Sequence, residues 1–302
     1  MSNVCLVIIF NHRFDANIER LEKIYKDRFS HIKYIVPFYD GDRDDVIPVY
    51  ECSFRFSGYV AQAYEKFAGD FEHYFFIADD ITIHPAINES NYEEWFEVND
   101  STSYIPMLEP IGKLKGWPFC QWFMDPERTL YKYLGTNWKN EIMSSEEAFA
   151  IAEKKGFERK DFGYSSKDIL KIFRKQFKKY PRLAVMLFKP IFKGPQILPY
   201  PMWGKYCDIF IIPGQYMKKM ARYFGIFAGM NLYVEIAIPT GIALISEKIS
   251  TADNRKEKPL LLWGAEARKN LVDKYEGNYS RLVDEWDDNT LFIHPTKLSE
   301  WR

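Results

Sequence analysis

The chain has 302 residues, of which 47% are hydrophobic, 27% are charged and 17% are aromatic, and its formal net charge is −1 at pH 7. This length can bury a substantial core, and the composition is that of a folded globular protein, which excludes a disordered chain. The near-neutral charge argues against a protein that wraps nucleic acid, because such domains are strongly basic. We therefore expect no nucleic-acid partner.

The first third of the chain alternates between predicted strands and helices. The apolar runs at 4–10 and 73–78 predict buried strands, and 32–36 predicts a second short strand between them. Apolar residues at helical spacing over 17–29 predict a helix after the first strand, and 58–67 predicts a second helix before the third. This alternation predicts parallel strands joined by right-handed crossovers.

Polar residues follow each of these three strands. Asn11, His12 and Arg13 follow the first strand, Asp40 follows the second, and Asp79 and Asp80 follow the third. Because ligands of such sheets bind outside the carboxyl ends of the strands, these side chains are predicted to meet at one edge. Two adjacent carboxylates repel each other, and Mg²⁺ or Mn²⁺ would offset the repulsion and bridge to substrate phosphates. The alternative is a pair of loop acids, one of which caps a helix.

The middle of the chain is basic. Residues 167–193 contain nine Lys or Arg and a single acid, Asp168, and part of this segment has an apolar helical face. One interpretation is a basic amphipathic helix on an anionic membrane surface. The other is a solvated helix whose apolar stripe packs on the domain.

The last third of the chain resumes a mixed α/β pattern, with strands predicted at 207–212 and 291–293 and a helix at 215–227. The apolar segment 224–245 contains Asn231 and Glu235, which favours a buried helix over a membrane span. The N-terminus lacks the features of a signal peptide. The four cysteines show no CxxC spacing, which predicts reduced thiols rather than a zinc site or disulfides. The predicted location is cytoplasmic.

The segment HYFFIADDI, which closes a βαβαβ half that begins VCLVIIFNHR, resembles the acidic metal-binding motif of GT-A glycosyltransferases. These enzymes use nucleotide sugars and have a Rossmann-like N-terminal half. Ala78 stands at the first position of their usual Asp-x-Asp motif. The resemblance implies that Asp80 coordinates the metal together with Asp79, and that His294, in FIHPTKLS, completes the metal shell. The opening segment also shows a weaker likeness to STELLO-type glycosyltransferases.

The resemblance implies a GT-A-like α/β fold, that is, a Rossmann-related mixed sheet flanked by helices. Residues 1–135 would form the nucleotide-sugar-binding half, residues 136–199 a helical basic insert, and residues 200–302 the acceptor-side half of the same domain. Asp40 would bind the base or ribose, and Asn11 and His12 would lie beside the nucleotide. An arginine fork matches phosphate oxygens, which makes Arg13 a candidate for holding the diphosphate.

Two acids are candidate catalytic bases. Glu235 stands among hydrophobic residues, where burial would raise its pKa towards the working range of a general base. Asp208, in YCDIFIIPG, is the second candidate. The structural alternatives are a salt bridge for Glu235 and a cap for Asp208. The aromatic residues at 203–206, with Trp117 and Trp122, either stack on sugar rings or pack in the core.

The predicted function is a metal-dependent glycosyltransferase that moves a sugar from a nucleoside-diphosphate donor to a hydroxyl of a glycan or glycolipid in surface polysaccharide synthesis. It would be cytoplasmic and peripheral at the inner face of the membrane. One alternative is a nucleotidyltransferase, although FNHRFDAN lacks a glycine-rich loop. The other is a non-catalytic module that binds glycans or membranes.

Overall fold

The computed structural model describes residues 3–114, 141–165, 167–168, 170–171, 174, 196–253 and 255–302. In this part of the chain the strands are β1 (Val4–Ile9), β2 (His31–Pro37), β3 (Val46–Val49), β4 (His73–Ala78), β5 (Thr82–Ile83), β6 (Thr102–Tyr104), β7 (Glu109–Pro110), β8 (Gly163–Tyr164), β9 (Gln196–Ile197), β10 (Trp203–Gly204), β11 (Ile209–Pro213), β12 (Lys248–Ser250), β13 (Lys258–Leu261) and β14 (Thr290–His294). The helices are α1 (Ala16–Tyr25), α2 (Phe56–Phe67), α3 (Tyr92–Phe96), α4 (Ser145–Lys154), α5 (Gly214–Gly229), α6 (Val234–Ile245), α7 (Ala265–Lys274) and α8 (Tyr279–Asp284).

The largest sheet has seven strands in the order β3-β2-β1-β4-β11-β6-β12. Strand β1 is parallel to β2 and β4, and β2 is parallel to β3. Strand β11 is antiparallel to β4 and β6, which makes the sheet mixed, as predicted. The order 3-2-1-4 also occurs in doubly wound nucleotide-binding sheets, where it spans the point at which the strand order reverses. The fold is therefore α/β and Rossmann-like.

The predicted strands at 4–10, 32–36 and 73–78 are confirmed as β1, β2 and β4. Strand β3 was not predicted, because its four residues include Pro48 and follow an acidic turn. Proline is tolerated there because β3 lies at the edge of the sheet, where one side of the strand needs no hydrogen-bond donor.

The prediction of a single buried helix over 224–245 is wrong. The segment belongs to two helices, α5 and α6, which are separated by a turn in which Asn231 has φ 61°. Asparagine adopts this left-handed conformation more readily than most residues, so it can reverse the chain here. As a result, Glu235 lies in the first turn of α6 instead of the middle of a helix.

Helices α2 and α5 pack closely against each other on one face of the sheet. A Cβ on Gly58 would lie 2.9 Å from the Cβ of Ala228, so the absence of a side chain permits this approach. Strands β1 and β4 are buried along their whole length, as expected of strands covered on both faces. The core that results holds the carboxyl ends of the strands in a fixed arrangement.

In the described part of the chain, every helix is too short or too polar to cross a bilayer. Cys5, Cys52 and Cys207 carry free thiols, and Cys120 lies outside the described residues. Of the basic segment 167–193, only residues 167, 168, 170, 171 and 174 are described, and Trp117 and Trp122 also lie outside the described residues.

The core of the central strands provides a stability test. Phe76 on β4 is fully buried and stacks on Phe210 of β11, with ring centroids 4.6 Å apart. We expect Phe76→Ala to lower the free energy of unfolding by about 3–5 kcal/mol, because it removes buried apolar surface and leaves a cavity. Urea denaturation measures the change. Ile197→Ala is the control, since Ile197 is 56% exposed; an equal loss in both variants would contradict this account of the core.

Candidate functional site

The site lies where the strand order of the large sheet reverses, between β1 and β4. The backbone N–H of Asp79 donates to the carbonyl of Ile9 at 2.9 Å, which extends the β1–β4 pairing by one residue. The backbone N–H of Asn11 donates to Asp79 Oδ1 at 3.4 Å. Ligands of open α/β sheets bind outside the carboxyl ends of the strands at such a reversal. The two aspartates therefore occupy the position where a ligand is expected.

The C-terminal strand brings further polar side chains to this corner. Strand β14 is antiparallel to β5, which begins two residues after Asp80. Just beyond β14, the backbone N–H of Thr296 donates to the carbonyl of Asp80 at 2.6 Å. This pairing carries His294 and Lys297 to the Asp80 side chain.

Strand β11 positions Asp208 at the site. Asp208 directly precedes β11, and its carbonyl accepts a hydrogen bond of 2.8 Å from the backbone N–H of Ala78. Because β11 runs antiparallel to β4, the residue at the start of β11 lies beside the end of β4. Asp208 is therefore placed next to the two aspartates by the sheet itself.

These residues form an array that we call the acidic cluster, made of Asp79, Asp80, Asp208, Glu235, His294 and Lys297. His294 Nε2 lies 3.3 Å from Asp80 Oδ1 and 3.4 Å from Asp208 Oδ2. Lys297 Nζ donates to Asp80 Oδ2 at 2.5 Å. The side chains of Asp80 and His294 are only 6% and 9% exposed, against 23% for Asp208 and 35% for Lys297. A ligand would therefore meet Asp208 and Lys297 first.

Asp79 and Asp80 have opposite pKa shifts. Burial, together with the charge of Asp80, raises the pKa of Asp79 to about 7. Burial also acts to raise the pKa of Asp80, but His294 and Lys297 outweigh it and lower the pKa to about 2. The Lys297 ammonium thus supplies part of the positive charge that two adjacent carboxylates require.

The two predicted bases are also buried acids with raised pKa values. Burial raises the pKa of Asp208 to about 6, although the neighbouring His294 opposes the shift. Burial and the charge of Asp208 raise the pKa of Glu235 to about 8. The upward shift expected for Glu235 is confirmed. These shifts favour an ionised Asp208 and a protonated Glu235 at neutral pH.

The residue types predicted for the metal site are present, but their side chains are not arranged as a metal-binding group. Carboxylate oxygens and an imidazole suit Mn²⁺ or Mg²⁺, and the buried Asp80 Oδ1 lies 3.3 Å from His294 Nε2. Asp79 Oδ1, however, accepts from Asn11, and Lys297 occupies the other oxygen of Asp80. Across the described ranges, no three or more His, Cys, Asp and Glu side chains are grouped so that they could hold a metal ion. An ion here would have to use Asp80 Oδ1 or displace Lys297.

The polar residues after β1 and β2 are engaged with one another. The Arg13 guanidinium donates to Asp15 Oδ2 at 3.0 Å, to Asp40 Oδ1, and to the carbonyl of Phe38 at 3.2 Å. The Arg13 hydrogen bond lowers the pKa of Asp40, which is mostly exposed. The predicted role of Arg13 in binding a diphosphate would require it to exchange these carboxylates for phosphate. The neighbouring His12 is exposed.

The aromatic residues near the site divide into core and surface. Trp203 is fully buried against Phe157 and Phe162, which favours the core-packing alternative. Tyr206 is buried too, but its ring lies 5.1 Å from that of His294. Trp263 is 65% exposed, and its ring lies 6.2 Å from that of His294.

Sequence reasoning missed Lys297 and Trp263. Lys297 stands three residues after His294 in the segment FIHPTKLS. Its closeness in sequence to a predicted metal ligand was a signal that it lies at the site. Trp263 had no comparable signal. Its closeness to His294 depends on the parallel pairing of β13 with β14, which brings together residues about thirty positions apart.

The raised pKa of Glu235 makes the stability of the protein depend on pH. Between about pH 4.5 and pH 8, the folded state holds a proton on Glu235 that the unfolded state has released. Stability therefore falls as the pH rises, by at most about 1.4 kcal/mol per pH unit for this group. We expect Glu235→Gln, which cannot titrate, to reduce this slope in urea denaturation between pH 5 and pH 8.

Glu276→Gln serves as the matched control, because it makes the same change at a carboxylate whose side chain is 75% exposed. It should leave the slope of the wild type unchanged. An unaltered slope in Glu235→Gln would mean that this carboxyl is ionised in the folded protein at neutral pH.

Comparisons of the chain with models of known protein families, with curated proteins and with solved structures found no match. The functional assignment of this chain therefore depends on the geometry and charge of the acidic cluster.

Proposed function

We propose that the protein is a glycosyltransferase of the GT-A type. It would move a sugar from a nucleoside-diphosphate donor to a hydroxyl of a glycan or glycolipid, in surface polysaccharide synthesis. The observation that carries the proposal is the contact of His294 Nε2 with the carboxylates of Asp80 and Asp208, 3.3 and 3.4 Å away, at the reversal of strand order. Further support comes from the 3-2-1-4 strand order, which is typical of nucleotide-binding sheets.

Asp208 is the better candidate for the general base of an inverting transfer. Its pKa of about 6 leaves it ionised at neutral pH, and it is the most exposed of the carboxylates that contact His294 or Lys297. The acceptor hydroxyl would give its proton to Asp208 while its oxygen bonds to the anomeric carbon of the donor. The bond from that carbon to the diphosphate oxygen breaks, and the diphosphate leaves with the electron pair. Glu235, protonated at neutral pH, would hold a hydrogen bond or return a proton.

The leaving diphosphate needs positive charge near it. Lys297 Nζ is such a charge, because it lies 2.5 Å from Asp80 Oδ2 and its side chain is 35% exposed. Developing negative charge on a leaving group is stabilised by a cation that is already in place. The acidic cluster contains more acids than cations, so a diphosphate would meet repulsion there unless a further cation binds with it. This repulsion supports the predicted dependence on Mn²⁺ or Mg²⁺, which kinetics with and without the metal would test.

The first test uses isosteric variants of the acidic cluster. We expect Asp208→Asn to lower kcat by about 10²-fold or more, because the variant cannot accept the proton, while the KM for the donor changes little. We expect Asp80→Asn to abolish transfer, because it removes the carboxylate that holds Lys297 and His294. Steady-state kinetics with the active nucleotide sugar, with and without Mn²⁺, measure both effects, and Glu276→Gln is the control.

The pH profile distinguishes the two acids. With Asp208 as the base, kcat/KM rises with pH through about 6, and this limb disappears in Asp208→Asn. With Glu235 as the base, the rise would instead occur near pH 8.

Calorimetry with a panel of nucleotide sugars tests the proposal against its alternatives. A donor that binds to the wild type and is slowly hydrolysed supports a transferase. Binding of nucleoside triphosphates in preference to nucleotide sugars would favour a nucleotidyltransferase. If no nucleotide binds with or without Mn²⁺, the protein is not a transferase of this type.

A further inference from the structure

The position of Trp263 is fixed by the backbone next to the acidic cluster. It follows β13, which is parallel to β14 with Leu261 opposite His294. The N–H of Leu262 donates to the carbonyl of His294 at 2.7 Å, so Trp263 is the first residue beyond this pairing. Gly264 then has φ 99°, a conformation that only glycine adopts without strain, and it begins the turn into α7. The indole is thus held beside His294 by two strands and a turn.

The exposure of this indole is unusual for a residue next to a buried site. Trp263 is 65% exposed, the highest exposure of any tryptophan in the described ranges. Its rings contact Tyr206 and His294 edge to face, with centroids 6.1 and 6.2 Å away. Much of the indole surface is therefore open to solvent beside His294. Aromatic side chains together with a few convergent polar groups line many ligand sites.

The carboxylates near Trp263 indicate which class of ligand could bind beside it. Beyond His294 lie the carboxylates of Asp80 and Asp208, and the 23% exposed Asp208 can accept hydrogen bonds from hydroxyl groups. The same carboxylates repel a phosphate that arrives alone. An apolar plane next to several hydrogen-bond acceptors suits a ring that has a C–H face and several hydroxyls. A neutral pyranose has these properties, whereas a nucleotide brings negative charge.

We propose that Trp263 stacks on a neutral pyranose ring of the acceptor and directs one of its hydroxyls towards Asp208. The acceptor role rests on the proposed glycosyltransferase function, but the binding of the sugar does not. Trp263 acts by positioning the sugar and takes no part in proton transfer.

The test measures sugar binding in the absence of any donor. The probes are methyl β-glucoside, methyl β-galactoside, methyl α-mannoside and chitobiose, titrated into the full chain and followed by calorimetry and NMR. We expect at least one probe to bind, and Trp263→Ala to weaken it about tenfold or more. Trp263→Phe should restore part of the affinity, because it keeps an aromatic plane. Leu260→Ala is the control, since Leu260 is a 37% exposed side chain on β13, the strand that precedes Trp263.

Two results would overturn the proposal. One is that no probe binds, or that binding is the same in Trp263→Ala and the wild type. The other is that Trp263→Ala weakens nucleotides but no glycoside, which would assign the indole to a base. The unfolding midpoint of each variant, measured in urea, shows that it is folded.

Kinetics then separate this inference from the proposed function. If the protein transfers a sugar, Trp263→Ala should raise the KM for the acceptor and leave the KM for the donor near the wild-type value. If Trp263 is required for glycoside binding but no nucleotide sugar is turned over, the sugar site stands and the transferase proposal fails. If transfer occurs and Trp263→Ala does not change the acceptor KM, the transferase proposal stands and the stacking role fails.

Discussion

The burial of the Asp80 carboxylate is the constraint on which the arrangement of this site depends. A buried carboxylate is costly unless it is paired, and Asp80 is paired with Lys297 at 2.5 Å and lies 3.3 Å from His294. Both partners come from the last residues of the chain. The small sheet β13-β14-β5 brings them there, because β5 follows Asp80 almost directly. The C-terminal segment is therefore part of the same structural unit as the first strands.

The acids of the cluster do not all carry charge at the same pH. Asp80 has a pKa lowered to about 2, whereas burial raises the pKa to about 6 for Asp208, about 7 for Asp79 and about 8 for Glu235. The cluster can therefore hold four carboxyl groups without four negative charges at neutral pH. Acids whose pKa values are separated in this way can divide proton donation and acceptance between them, as active sites often do.

The cations near the cluster are already paired with carboxylates. Arg13, which could have attracted a phosphate, is engaged by Asp15 and Asp40. Lys297 is engaged by Asp80, and Trp263 presents an apolar surface beside His294. A diphosphate would thus need either Lys297 or an added divalent ion, while a neutral sugar would meet an aromatic ring and hydrogen-bond acceptors.

The sequence predicted the α/β class, the strands β1, β2 and β4 and the end of β4 just before Asp79, because apolar runs and the polar residues after them are local features. It also indicated Asp80, Asp208, Glu235 and His294 as chemically notable residues. Which of these side chains meet depends on long-range strand pairing. The antiparallel β11 places Asp208 beside Ala78, and the β13–β14 pairing places Trp263 beside His294. These contacts come from strand pairing between residues far apart in the chain, and hydrophobic periodicity carries no information about such pairing.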